Sequence, residues 1–112
     1  MAVSKDFLDY VLDQLSAWEG VYVKRMFGGA ALYREGLAFA MAAQNTVYLK
    51  VDDTNKDKYL KEGSAPLKPF KSQARVLSFY NVPPDIFENS NKFIEWAKES
   101  LAIQKKRNYT IT

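Results

Sequence analysis

The sequence predicts an α+β two-layer domain: an antiparallel β-sheet of about five strands with the N- and C-terminal helices packed on one face, in the order α-β-β-β-β-α-β-α. Three observations predict it. Apolar residues recur at helical spacing near the two ends of the chain, whereas the stretch between them alternates with a period of two between turn residues. The length of 112 residues, with 47% hydrophobic and 26% charged residues, suits one core and excludes the low-hydrophobicity signature of disorder. The whole chain, 1–112, is therefore read as a single domain with no second domain.

Ser4 is placed to cap the first helix, with Asp6 in its first turn, where the helix dipole favours an acid. Phe7, Leu8, Val11, Leu12, Leu15 and Trp18 follow at helical spacing, and Gly20 stops the run. From Val21 the period changes to two. Val21, Val23 and Phe27 share one face of the first strand, and Tyr22, Lys24 and Met26 the other. Gly28 and Gly29 then mark a bend, a bulge or a close backbone approach.

The second strand, 30–34, turns through Glu35 and Gly36 into a third, 37–43, as a tight hairpin. Strict alternation puts Leu37, Phe39 and Met41 on one face of that third strand and Ala38, Ala40 and Ala42 on the other. Gln44 and Asn45 turn the chain into a fourth strand, 46–51, in which Val47, Leu49 and Val51 oppose Tyr48 and Lys50. Asp52, Asp53 and Thr54 carry capping chemistry for a short helix ending at Lys61, and Pro66 and Pro69 keep 64–73 irregular. A fifth strand, 75–80, ends at Val82, Pro83 and Pro84, and one helical turn follows. The last helix starts at Ser90 with the stripe Phe93, Ile94, Ala97 and Leu101, and Lys105, Lys106 and Arg107 close it or fray from it.

Composition excludes several chemistries. Cys and His are both absent, which removes disulfides, thiol catalysis, thiolate metal sites and the commonest general base. No Gly-x-Ser-x-Gly or Ser-x-x-Lys motif appears, so the chain is expected not to be an enzyme and to have no catalytic residues. No cofactor or metal is expected either: Asp52, Asp53 and Asp57 lack the spacing of a calcium loop, and Gly28–Gly29 precedes a strand where a phosphate loop needs a helix. The N-terminus has no unbroken apolar segment, and the longest apolar run, 37–43, is too short to cross a bilayer. A cytoplasmic protein with no membrane partner is the expectation.

Sixteen Lys and Arg against thirteen Asp and Glu give a net charge of +3. The excess concentrates at 56–75, where Lys56, Lys58, Lys61, Lys68, Lys71 and Arg75 face only Asp57 and Glu62. Those six cations are the candidate partner-binding residues, for phosphate or for an acidic protein patch. A solvated surface is the competing reading, and no helix-turn-helix, zinc-finger or RNP1 pattern points to nucleic acid. The aromatic residues, Tyr33, Tyr48, Tyr80 and Trp96 among them, are read mainly as core rather than as base-stacking platforms.

A set of fragments in fixed order carries a further reading: Arg25-Met26-Phe27-Gly28-Gly29, Leu32-Tyr33 with Gly36, Phe39-Ala40, Val47-Tyr48-Leu49-Lys50-Val51-Asp52, Gly63, Pro69-Phe70, Phe79-Tyr80-Asn81-Val82-Pro83 and Trp96-Ala97. Together they resemble the N-terminal domain of the TfoX/Sxy family of bacterial competence regulators. Ala31 departs from the pattern, in which a further loop glycine is common, and the helix-hairpin-helix-like C-terminal domain of longer members is not expected here, since little sequence follows Leu101. The resemblance implies a non-enzymatic regulatory domain in transcriptional control of DNA transformation genes. It implies a protein partner in the transcription machinery, such as the cyclic-AMP receptor protein or RNA polymerase. Arg25, Met26, Phe27, Gly28, Gly29, Tyr80, Val82 and Pro83 are then fold determinants: bend, strand end and helix entry. A homodimer is expected from the sheet's edges, and direct nucleic-acid binding only weakly if at all.

Overall fold

Helix α1 (Lys5–Gln14) starts where the sequence places its cap: Ser4 is extended, and its Oγ accepts the Phe7 N–H at 3.1 Å. Asp6 sits in the first turn, and the apolar stripe buries Leu8 and Val11. The protein is described here by a computed structural model covering residues 3–26, 28–67 and 78–111. Strands β1 (Tyr22–Met26), β2 (Gly29–Arg34), β3 (Leu37–Ala43), β4 (Thr46–Lys50) and β5 (Phe79–Asn81) form one antiparallel sheet in chain order.

Both central hairpin turns have two residues of left-handed backbone, with φ of 55° and 78° at Glu35 and Gly36 and 50° and 59° at Gln44 and Asn45. Such pairs match the twist of the strands they join. The second turn is also tied to the start of α1, because Asn45 Oδ1 accepts from the Ser4 Oγ at 3.4 Å.

Register sorts the sheet residues by face. Val23, Leu32, Ala40, Leu49 and Tyr80 form one cross-strand row on the side that packs against the helices. The adjacent row, Lys24, Ala31, Met41, Tyr48 and Asn81, lies on the outer face. The third strand departs from strict alternation. Leu32 pairs with Ala40 and Tyr33 with Ala38, which leaves Phe39 as an extra, bulged residue. One inserted residue resets the two-residue period. Phe39, Ala40 and Ala42 are therefore all buried, while Met41 moves to the outer row. Phe39 meets the Trp18 ring edge-on at a centroid distance of 5.2 Å and closes the core below α1.

After β4, Asp52 caps a turn and not the helix expected of it: its Oδ1 accepts the Thr54 N–H at 2.8 Å, and the Asp52 N–H donates to Asn55 Oδ1 at 2.9 Å. Asn55 is the residue that precedes α2 (Lys56–Lys61). Tyr59 of this short helix is fully buried against Trp96, with ring centroids 4.7 Å apart. Strand β5 is described over Phe79–Asn81, one residue past the expected end, and the first part of the expected span, 75–77, lies outside the described residues. Its outer edge pairs with the chain before it, the Leu67 N–H donating to the Phe79 carbonyl at 2.7 Å.

Helices α3 (Pro84–Phe87) and α4 (Ser90–Ile111) complete the layer. Phe93, Ile94, Ala97 and Leu101 are buried, as their spacing predicts. Helix α4 continues through Lys105, Lys106 and Arg107 because tertiary bonds hold it: Gln104 Nε2 donates to the Ala38 carbonyl at 2.7 Å, and Lys105 reaches Glu35 at 3.0 Å. Leu8, Val11, Leu15, Phe93, Ala97 and Leu101 meet the inner sheet row in one core, so both terminal helices cover the same face. Among the described residues, no helix is long and apolar enough to cross a membrane.

Candidate functional site

At the end of β4 the sheet opens into a cavity of about 370 Å³ lined by Lys50, Val51, Asp52, Asp53, Lys56, Ser78, Tyr80 and Arg107. Four chain segments build it. The alternation of β4 sends Val47, Leu49 and Val51 into the core, and Lys50 takes the opposite side. The Lys50 backbone is fixed from behind, where its carbonyl accepts from the fully buried Ser100 Oγ at 2.7 Å. Ser78 approaches from the chain entering β5, and the extension of α4 brings in Arg107.

Lys50 is the distinctive group of this cavity. It is only 6% exposed, its Nζ donates to Ser78 Oγ at 3.0 Å, and the ammonium lies 5.2 Å from the centre of the Phe79 ring. Burial and then the Arg107 charge push its pKa below the usual lysine range, with Asp52 opposing them. A charge removed from water beside a like charge is costly unless an anion compensates it. Asp52 does so only in part, because its carboxylate is turned to the Thr54 hydroxyl and N–H, which hold its pKa below the usual aspartate value. Asp53 has a fully solvated side chain, and its nearest approach to the Lys56 ammonium is 4.0 Å.

The basic segment singled out by the sequence does not gather as one patch among the described residues. Lys56 lines the cavity. Lys58 turns to α4 instead, where it pairs with Glu99 and lies 4.3 Å from the centre of the Trp96 ring. Lys61 is exposed at the end of α2, and Lys68, Lys71 and Arg75 lie outside the described residues. Sequence reading missed Lys50 and Arg107 as partners because nothing in their spacing announces that β4 and the end of α4 converge. The signal that was available is a lysine at the polar position of an otherwise core-forming strand.

The motif residues have structural surroundings. Arg25 donates to the Val3 carbonyl at 3.2 Å, and Met26 pairs with Gly29 across the first hairpin. Phe27 lies outside the described residues. Gly28 has a φ of 80°, a left-handed value that favours glycine. Tyr80 packs on the core, the Val82 N–H donates to the Val47 carbonyl at 3.0 Å, and the Pro83 carbonyl accepts the Ile86 and Phe87 N–H groups that begin α3. Among the described residues, no three acidic side chains gather as a metal site.

A family model described as the TfoX N-terminal domain matches residues 13–103, from the end of α1 through most of α4. The chain belongs to this family. The match includes Lys50, Lys56 and the whole sheet of the TfoX N-terminal domain, and stops just before Arg107. No curated protein matches the chain.

Proposed function

We propose that this TfoX N-terminal domain is a non-enzymatic regulatory module that works by docking a protein of the transcription machinery, in control of DNA transformation genes. Family membership supports a competence-related regulatory role. The observation that carries the docking mode is an aromatic and cationic patch on the outer face of the sheet. Tyr22 is 43% exposed and stacks on Tyr33 with ring centroids 5.5 Å apart and planes inclined by 13°. The Lys24 ammonium lies 5.2 Å from the centre of the same Tyr33 ring. Stacked rings bearing a cation form a rigid surface that loses little entropy on binding, the quality that makes tyrosine frequent at protein interfaces.

The experiment is a binding measurement with the purified domain against purified RNA polymerase and purified cyclic-AMP receptor protein. Saturable binding to either, weakened about tenfold or more by Tyr22→Ala with Lys24→Ala, agrees with this reading. Binding to neither protein, or binding indifferent to both substitutions, overturns it.

A further inference from the structure

We propose that the cavity at the end of β4 is a binding site for a small phosphomonoester, with the Lys50 ammonium as its anchor and Lys56, Arg107 and the Ser78 hydroxyl around the phosphoryl group. This inference stands apart from the docking reading, since it uses none of the residues of that patch.

The donor set is the first argument. Lys50 is more than nine-tenths buried, borders the cavity, and among the described residues shows one hydrogen bond, to Ser78. An ammonium carries three donors, so two remain for a ligand. Ser78 accepts from Lys50 and thus keeps its own hydroxyl proton to donate. A carboxylate can accept all of these bonds but brings a single negative charge. A dianionic phosphoryl group takes the same bonds and brings a second negative charge to a site where the Lys50 ammonium is buried.

The walls are the second argument. Tyr80, half-buried, also borders the cavity, so its lining is not made of charged groups alone and leaves a place for the organic part of an ester. A volume of about 370 Å³ is within the range of small-molecule pockets. Asp52 and Asp53 at the rim set an upper limit on charge, because a polyanion extending past the phosphoryl group would run against them. A single phosphomonoester is therefore favoured over polyphosphate or a nucleic-acid backbone. The depressed Lys50 pKa agrees with a cation whose compensating anion comes from outside the chain.

The test is thermal melting and NMR titration of the full chain with ribose 5-phosphate, inorganic phosphate, acetate, and an oligonucleotide lacking terminal phosphates, each at matched ionic strength. Ribose 5-phosphate at about 10 mM is expected to raise Tm by roughly 3 °C or more over sodium chloride. Acetate and the oligonucleotide are expected to have little effect. Lys50→Met keeps the length of the side chain and removes its charge, and should weaken ribose 5-phosphate binding at least tenfold. Arg107→Gln should weaken it several-fold, and this variant decides the matter if Lys50→Met fails to fold. Three results would overturn the proposal: no shift beyond the salt control, variants that bind like the parent, or acetate or oligonucleotide binding as tightly as the sugar phosphate.

Discussion

A Cβ built on Gly29 would lie 2.7 Å from the carbonyl oxygen of Ala42. Both residues lie on interior strands of the sheet, Gly29 opening β2 beside Ala30, which pairs with Ala42 of β3. A backbone oxygen held in a β ladder has little room to retreat, so the contact excludes every side chain. Gly29→Ala is expected to destabilise the fold by about 1–3 kcal/mol, the usual cost of forcing a group into packed structure. Urea unfolding measures it, and a variant with the parent's midpoint and slope would contradict the contact.

The hydroxyl that fixes Lys50 makes a second prediction. Ser100 is fully buried, and its Oγ donates to the Lys50 carbonyl at 2.7 Å, joining α4 to β4. Ser100→Ala removes the donor and leaves a buried carbonyl with one partner fewer. A loss of about 1–2 kcal/mol is expected. Hydrogen exchange should show faster opening at the end of β4 than at β2, and uniform opening across the sheet would count against a local role.

Much of this fold is legible in the sequence because its determinants are local. Glu35-Gly36 and Gln44-Asn45 can take the left-handed pairs that two-residue hairpins need, so the boundaries of β3 and the turn into β4 follow directly. The bulge at Phe39 is not legible. Alternation looks unbroken there, and the extra residue is set by packing against Trp18 and by the register with Leu32. The length of α4 escapes for a similar reason: Gln104 and Lys105 read as a polar end until Ala38 and Glu35 are seen beside them. The candidate site depends on that extension, so a local reading finds Lys56 but not its association with Lys50 and Arg107.

Acid titration supplies a third prediction. The Thr54 hydroxyl and N–H hold the Asp52 carboxyl below the ordinary aspartate range, with Lys106 and Lys50 adding to the effect. A carboxyl with a depressed folded pKa contributes stability that is complete above the unfolded value of about 3.9 and is lost as pH falls through the folded value. Thr54→Ala should therefore lower stability at pH 7 by about 0.5–1 kcal/mol, and the gap should close below pH of roughly 3. Urea midpoints of parent and variant from pH 7 to pH 2.5 test this, and a gap that stays constant would show that Asp52 is not responsible.

The edge of β1, which has no strand partner besides β2 among the described residues, bears on self-association. The other edge, β5, is paired with residues 65–67, whereas β1 carries Lys24 and Arg25 in adjacent, exposed positions. Antiparallel two-fold pairing of β1 would set these cations opposite or diagonal to their own copies. Edge lysines are a known guard against such pairing. Any homodimer is thus expected to use another surface, and Lys24→Thr should increase edge pairing. Sedimentation at tens of micromolar protein would show concentration-dependent association in the variant beyond that of the parent, and equal behaviour of the two would remove the guard argument.

The segment 56–75 decides how the isolated chain treats duplex DNA. Affinity for a duplex grows with the number of phosphates that lysine and arginine neutralise together. Lys58 is committed to Glu99 and the Trp96 ring, and Lys56 faces a cavity that also holds Asp52 and Asp53. Of the three cations of the segment on α2, only Lys61 is left for a flat phosphate surface. Lys68, Lys71 and Arg75 then carry most of whatever attraction the segment has. Binding of the isolated chain to labelled duplex is expected to be weak and non-specific. It should vanish at about 0.15 M salt, where exposed charges are screened beyond roughly 8 Å. At lower salt it should fall when Lys68, Lys71 and Arg75 are replaced by Ala and change little with Lys58→Ala. Sequence-selective, submicromolar binding at about 0.15 M salt would make DNA the first partner to consider and displace the protein-docking reading.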